Sequence, residues 1–315
     1  MIAVVIPCYR VKDQILQVLK KIGPEVGKIY IVDDACPEGS GKYVRENNSD
    51  PRVEVIVHPK NLGVGGAVMT GYSKAMEDKV SIIVKLDGDG QMNPLLIPKL
   101  VQLIINKQAD YVKGNRFYDL GSLRKMPGMR RFGNTILSFI NKMVTGYWNI
   151  MDPTNGFTAI SAAALKHLPL DKIDDRFFFE QDILFRLNTI RAVVMDWPMI
   201  AEYGEENSNL KIRKVLFSFP FKYISRLFKR IFYSYFLRDF NVGSLELLLA
   251  FLFMGFGIIF GSIKWVHSIV SAQPATAGTV ILAGLPVILG FQSFLSFLHF
   301  DLTNIPQKPI SGFED

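Results

Sequence analysis

The C-terminal quarter of this chain constrains its fold more than any other stretch. Residues 275–300 contain no Lys, Arg, Asp or Glu, and residues 245–265 carry one acid, Glu246, ahead of an unbroken apolar run to Phe260. Each stretch is long enough to cross the ~30 Å of hydrocarbon in a bilayer, and a backbone in lipid has to satisfy its own amides, which makes these segments helices. Two buried helices of a soluble core are the competing reading, and the length disfavours it. The loop near 264–274 is short and holds one Lys, whereas the residues before the first span are rich in Lys and Arg. The bias in basic residues places the large N-terminal part, and with it both termini, in the cytoplasm of a two-span membrane protein. The N-terminus opens directly on a strand pattern and reads as no signal peptide.

Before the spans, short apolar runs alternate with helical spacing. Ile2–Ile6, Ile29–Val32, Val53–Val57 and Val80–Val84 read as strands, the first ended by Pro7, and residues 11–22, 39–47 and 67–76 as helices. This is the pattern of βαβ units: an α/β, Rossmann-like, mostly parallel sheet. Such sheets bind ligands beyond the carboxyl ends of their strands. Pro7, the Asp33-Asp34 pair and Asp87 with Asp89 all fall at those ends. Further on, a helix is expected after Pro94, a strand over 109–116 and a helix over 132–144. A polar turn, Met151 to Phe157, is expected to lead into a helix from Ala159 to His167, with another helix over 183–187.

The turn Asp87-Gly88-Asp89-Gly90-Gln91 delivers two hard oxygen ligands from a strand end between glycines. Mg²⁺ or Mn²⁺ bound with substrate phosphates suits that arrangement, because these ions keep few protein ligands and share the rest with substrate and water. An ordinary Asp/Gly turn is the bland alternative. Gly63, Gly65 and Gly66 follow the third strand and lack the full dinucleotide spacing, so they are read as letting the backbone pass close to a sugar nucleotide at a helix N-terminus.

Charge is unevenly spread. The formal balance is +7, with eight Lys/Arg against two Asp between Lys107 and Lys142, and eight against none between Lys211 and Arg238. Such blocks point to an anionic partner. The arginines after Arg124, among them Arg130 and Arg131, read as a phosphate clamp or as a solvated basic face. In residues 211–241, Phe217, Phe221, Phe228, Phe232 and Tyr235 interleave with Lys214, Lys222, Arg226, Lys229 and Arg230. This composition suits amphipathic helices in a membrane interface, apolar side down and cations at the headgroups. The spans that follow weigh against nucleic acid as the partner. The acids Glu180 and Asp182 ahead of a helix read as caps, and His58 and His167 as structural. Cys8 and Cys36 have neither metal nor disulfide spacing and read as reduced thiols.

Five motifs in order, Ile6-Pro7-Cys8-Tyr9, Val32-Asp33-Asp34, Asn61-Leu62-Gly63 with Gly65-Gly66-Ala67, Asp87 to Gln91, and Asp152-Pro153-Thr154-Asn155-Gly156-Phe157, resemble the family-2 glycosyltransferases of the A-type fold. Within that family the chain is similar to the polyprenyl-phosphate glycosyltransferase group of dolichol-phosphate mannose synthase and bactoprenol glucosyltransferase. The resemblance spans roughly residues 2–240. It implies a nucleotide sugar (UDP- or GDP-hexose) held by Pro7, Tyr9, Asp33, Asp34, Gly63 and Asp87, with Asp89 and Gln91 on the divalent ion. It implies a polyprenyl phosphate, undecaprenyl or dolichyl, met by Arg116 and by Arg130 or Arg131, with Lys211 or Arg213 near the diphosphate. Self-association through the spans is an expectation from the resemblance alone. Where the family usually reads Asn-Glu after the tyrosine, this chain has Arg10-Val11, which leaves uridine and guanosine both open.

The expected organisation is a cytoplasmic glycosyltransferase domain over 1–210, juxtamembrane amphipathic helices over 211–241, two transmembrane helices over 242–300 and a cytoplasmic tail over 301–315. The expected reaction is inverting transfer of one hexose to a polyprenyl phosphate, with Asp87, Asp89 and Asp152 as the catalytic carboxylates. A phosphate nucleophile is already ionised, so neither Asp152 nor Asp182 has to serve as a base. A processive polysaccharide synthase and a membrane-anchored scaffold without activity are the alternatives. Two spans are few for a channel, and the intact Asp87/Asp89/Gln91 set argues against a scaffold.

Overall fold

The computed structural model describes residues 1–118, 128–199 and 212–312, the side chains of 129–131 and 212–218 excepted. It forms two compact units, residues 1–230 with 306–315, and residues 231–305.

The first unit is built on a seven-stranded sheet with strand order β3-β2-β1-β4-β6-β5-β7. Its strands are β1 (Ile2–Cys8), β2 (Val26–Asp33), β3 (Val53–Val57), β4 (Ile82–Lys85), β5 (Tyr111–Asn115), β6 (Thr158–Ser161) and β7 (Val194–Pro198). The pairs β1–β2, β1–β4, β2–β3 and β5–β7 are parallel, and β6 runs antiparallel to both neighbours. The helices are α1 (Lys12–Lys20), α2 (Ser40–Asn47), α3 (Val64–Glu77), α4 (Ile97–Ile105), α5 (Gly128–Thr145), α6 (Ala162–Lys166), α7 (Phe179–Thr189) and α8 (Ile212–Phe232). Unbroken apolar runs become the central strands because both faces of a parallel sheet are covered: Val4, Ile6, Ile29, Ile31 and Val84 all lie in one buried cluster with Ile15, Val18 and Leu19 of α1.

Two expectations are corrected here. Residues 158–161 are not the start of a helix but a strand, and the helix begins only at Ala162, with the Ser161 hydroxyl accepting from Ala164 N as its N-cap. Three of the cations of α8 that the sequence assigned to lipid headgroups turn to the protein instead, while Lys229 is exposed. Lys222 donates to Asp174, Arg226 Nε to Asp182 Oδ1 (2.6 Å) and Arg230 to the carbonyl of Met143 (2.7 Å). The exposed side of α8 is apolar, with Phe221, Ile224 and Phe228 outward, while Phe219 and Tyr223 stack edge-on against Phe178. The tail closes the unit: Ile310 N and Ser311 N donate to the buried carboxylate of Asp110, which also takes Val193 N.

The second unit is a helical hairpin of α9 (Val242–Ser271) and α10 (Ala277–Thr303), both long and apolar enough to cross a membrane. The two helices approach closely at glycines. A Cβ on Gly257 would lie 2.7 Å from the Ala283 carbonyl oxygen, and one on Gly290 2.7 Å from Met254 N, the small-residue contact by which helices associate without a hydrophobic driving force. Asn241 and Ser244 cap α9 reciprocally, and Tyr235 Oη donates to Asp301 (2.6 Å).

Candidate active site

At the carboxyl ends of β1, β2 and β4, β1 delivers Pro7 and leaves Tyr9 more than one-third exposed, with the Arg10 guanidinium over its ring. Asp33 and Asp34, expected to face the nucleotide sugar, are both 3 % exposed and already engaged. Asp33 accepts from Cys36 N (2.7 Å) and Gly41 N (2.6 Å), satisfying an amide that α2 leaves unpaired at its start. Asp34 accepts from Leu62 N (2.7 Å) and Gly63 N (2.7 Å), and its Oδ1 pairs with His58 Nδ1 (2.8 Å). These carboxylates shape two loops of the cleft rather than presenting bare oxygens to it. His58 continues to Thr70 Oγ1 (3.0 Å).

Gly63 is held in the same region by packing. Its φ of +100° suits glycine, and a Cβ there would lie 2.4 Å from the carbonyl oxygen of Asp175. Gly65 meets Asp174 O at 2.2 Å on the same test, and Gly66 N donates to Asp175 O (3.0 Å). What these glycines admit closely is the chain at 174–175, not open space for a ligand. Arg176 ties that segment to the Asn61 side chain (2.8 Å).

The Asp87–Gln91 turn is half-open. Gly90 has φ +77°, and Asp89 Oδ1 accepts from Gln91 N (3.0 Å). Asp87 Oδ1 is 2.7 Å from Lys85 Nζ, and the Asp152–Phe157 turn packs directly on it: a Cβ at Gly156 would lie 2.6 Å from Asp87 Oδ2. No group of three His, Cys, Asp or Glu side chains able by itself to hold a metal ion is present among the described residues. Two carboxylates and an amide at an accessible turn fit an ion that completes its shell with water and phosphate oxygens.

Arg116 follows β5 and grips the fully buried Asp152 through Nε (2.7 Å) and Nη2 (3.0 Å), with its backbone N on the same carboxylate. The structure thus joins two residues the sequence assigned to separate roles. Asp182, the other carboxylate considered as a base, is fully buried against Arg226 and Asp174 N. Arg130, Arg131 and Arg213 lie on α5 and α8 with side chains outside the described residues, and Lys211 lies outside them altogether.

Sequence reasoning missed four participants. Lys85 and Lys113 are buried beneath the two turns, with Glu180 of α7 between them. Burial depresses Lys85, but Asp87 and Glu180 outweigh it and carry its pKa above the ordinary lysine value. Lys113 falls below that value, because burial outweighs Glu180 and Asp152. Burial raises Glu180 despite Lys113 and Lys85. Asp196 of β7 accepts from Met151 N (2.7 Å) and Asn115 Nδ2 (3.0 Å), and burial pushes it up to about 6. A lysine inside a strand buried on both faces needs a partner, and that was the available signal for Lys85 and Lys113.

A glycosyl transferase family 2 model matches residues 3–168. The chain belongs to that family. A UDP-N-acetylglucosamine–dolichyl-phosphate N-acetylglucosaminyltransferase of Methanococcus voltae is 35 % identical over 53 % of this family-2 chain and 72 % of its own length. An undecaprenyl-phosphate mannosyltransferase of Micrococcus luteus is 27 % identical over 62 % of this chain and 81 % of its own. Among solved structures, glucosyl-3-phosphoglycerate synthase of Mycobacterium tuberculosis with Mn²⁺, UDP and phosphoglyceric acid superposes with a TM-score of 0.54 at 16 % identity, over 73 % of this chain and 78 % of that one. That likeness gives the family-2 sheet its A-type fold.

Proposed function

We propose that this family-2 glycosyltransferase moves one hexose, with inversion, from a nucleotide diphosphate sugar to a polyprenyl phosphate at a membrane surface. The observation that carries the reading is the packing of the Asp152–Phe157 turn, whose Asp152 holds Arg116, against the Asp87–Gln91 turn, in a chain with two helices able to span a bilayer. The names of the archaeal and bacterial relatives, which act on dolichyl and undecaprenyl phosphate, support the acceptor class.

Asp89 and Gln91 would hold Mg²⁺ or Mn²⁺, with Asp87 toward the sugar nucleotide; the ion would neutralise charge developing on the leaving diphosphate. Tyr9, exposed after β1, offers a face for stacking the base. The acceptor oxygen is ionised at neutral pH, so Asp152 has no proton to take. Its work is to orient the Arg116 guanidinium, whose fork matches phosphate oxygens. Arg130, Arg131, Lys211 and Arg213 add positive charge along the lipid-phosphate path. The division into a cytoplasmic catalytic domain (1–210), interfacial helices (211–241), spans (242–300) and a cytoplasmic tail follows from the distribution of basic residues.

The test is radiolabel transfer to undecaprenyl phosphate, with a donor panel that includes UDP-N-acetylglucosamine. A mild-acid-labile, organic-extractable product is expected, and Asp89→Ala should lose at least about a hundredfold in rate with its fold intact. Near-normal transfer by Asp89→Ala with Mg²⁺ or Mn²⁺ sinks the metal site. A polymeric product supports a processive synthase, and no product with any donor supports a scaffold.

A further inference from the structure

Two lysines that the sheet buries share one carboxylate. Lys85 ends β4 and Lys113 lies in β5, with β6 between them. Lys85 Nζ sits 2.7 Å from Asp87 Oδ1 and 3.7 Å from Glu180 Oε1. Lys113 Nζ sits 3.9 Å from Glu180 Oε2 and donates to the carbonyl of Asn155. Each oxygen of Glu180 therefore faces a different ammonium, and each ammonium holds a different turn of the cleft. Side-chain exposure is 3 % for Lys85 and 0 % for Lys113, so neither cation reaches a ligand. Gly156 lies tight against this cluster; a Cβ would stand 2.2 Å from Lys85 Nζ. Burying three charges is a poor way to gain stability, since apolar side chains of similar volume do as well or better. Such a cluster is better suited to fixing geometry.

We propose that Glu180 is a positioning residue for the transfer. Through Lys85 it fixes the orientation of Asp87 on the donor side, and through Lys113 it fixes the Asn155 carbonyl and hence the Asp152–Phe157 turn on the acceptor side. One carboxylate, its side chain 14 % exposed, sets the distance between the two reacting partners. This rests on the reading above, in which the 87–91 turn takes the sugar nucleotide and the Arg116–Asp152 pair lies beside the acceptor phosphate.

Glu180→Gln, measured in the full chain in detergent or bilayer, leaves an amide that can accept from one lysine only. Because a misplacement of reacting groups by about 1 Å costs on the order of a hundredfold in rate, kcat should fall about 30- to 100-fold. The KM values for donor and acceptor should each stay within about threefold, since each partner still has its own contacts. A kcat within about threefold of wild type in folded Glu180→Gln overturns the proposal. If Glu180→Gln does not fold, Glu180→Asp decides: it keeps the charge but is one methylene too short to face both lysines. A fall in kcat of about tenfold or more supports the bridge, and full activity overturns it. Wild-type protein that transfers nothing from any donor overturns the functional reading as well; active wild type with unaffected Glu180 variants overturns the bridge alone.

Discussion

Asp34 and Asp152 are both buried carboxylates beside the cleft, but they are held by different kinds of donor. Asp34 rests on two main-chain amides, Leu62 N and Gly63 N, with His58 closing its third side. Asp152 rests chiefly on the guanidinium of Arg116, whose side chain is 27 % exposed. Main-chain donors are placed by the fold and move only with it. A long side chain can swing to another anion at the cost of its rotamer and one ion pair. On the proposed function, the donor rim is accordingly preorganised, and the acceptor rim is the one free to rearrange around a lipid phosphate.

The largest break in this comparison is expected from Asp34→Ala. It strands two buried amides and the imidazole of His58 together, and each unpaired buried group costs about 1–3 kcal/mol, so a loss of at least about 3 kcal/mol in stability is expected. Denaturant or thermal unfolding measures it. The rise in donor KM should accompany the loss of stability, because both follow from releasing the 61–66 loop. An Asp34→Ala protein as stable as wild type would show that the loop holds itself and that the rim is not built on this carboxylate.

Asp152→Asn should cost less, about 1–2 kcal/mol, since Arg116 stays partly solvated and the amide keeps the shape of the side chain. Its signature is kinetic: acceptor KM up about tenfold with donor KM unchanged, because the misdirected guanidinium belongs to one partner only. If donor KM moves as much as acceptor KM, the two rims are not separable and the comparison fails.

The donor rim was largely legible in the sequence and the acceptor rim was not, and the residues explain why. The first four strands are runs such as Ala3-Val4-Val5-Ile6 and Ile29-Tyr30-Ile31-Val32 set between helical segments, so periodicity and order located Pro7, Asp34 and Asp87 at one sheet edge. Thr158-Ala159-Ile160-Ser161 runs without a break into Ala162-Ala163-Ala164, and nothing local separates a four-residue strand from the helix after it. Val194-Met195-Asp196-Trp197-Pro198 holds an Asp and a Pro, both poor in strands, and survives because β7 is an edge strand. Roles within the site were harder still. Asp33, Asp34 and Gly63 follow the second and third strands, but sequence order cannot show that amides 8 to 29 residues away already occupy the two carboxylates, or that the 174–175 backbone lies over the glycine.

The smallest effect sharpens the contrast on the acceptor side, where Asp196 clamps Met151 N and Asn115 Nδ2 while its Oδ1 is buried without a hydrogen-bond partner among the described residues. Burial raises this carboxyl from 3.8 to about 6, with the Met151 amide and Lys113 opposing the rise. Between those two values the folded protein binds a proton that the unfolded chain has released, so stability falls as pH climbs through the interval and the penalty is complete above about 6. Asp196→Asn removes the ionisation while its carbonyl oxygen can still accept from Met151 N. The variant should therefore gain on wild type as pH rises, with little difference near about pH 4 and a gain of the order of 1–2 kcal/mol near about pH 7.5. Thermal unfolding of both proteins across that range measures the difference. A gain that does not depend on pH would mean that Asp196 titrates in the folded protein as it does in the unfolded chain, and that its burial does not raise its pKa.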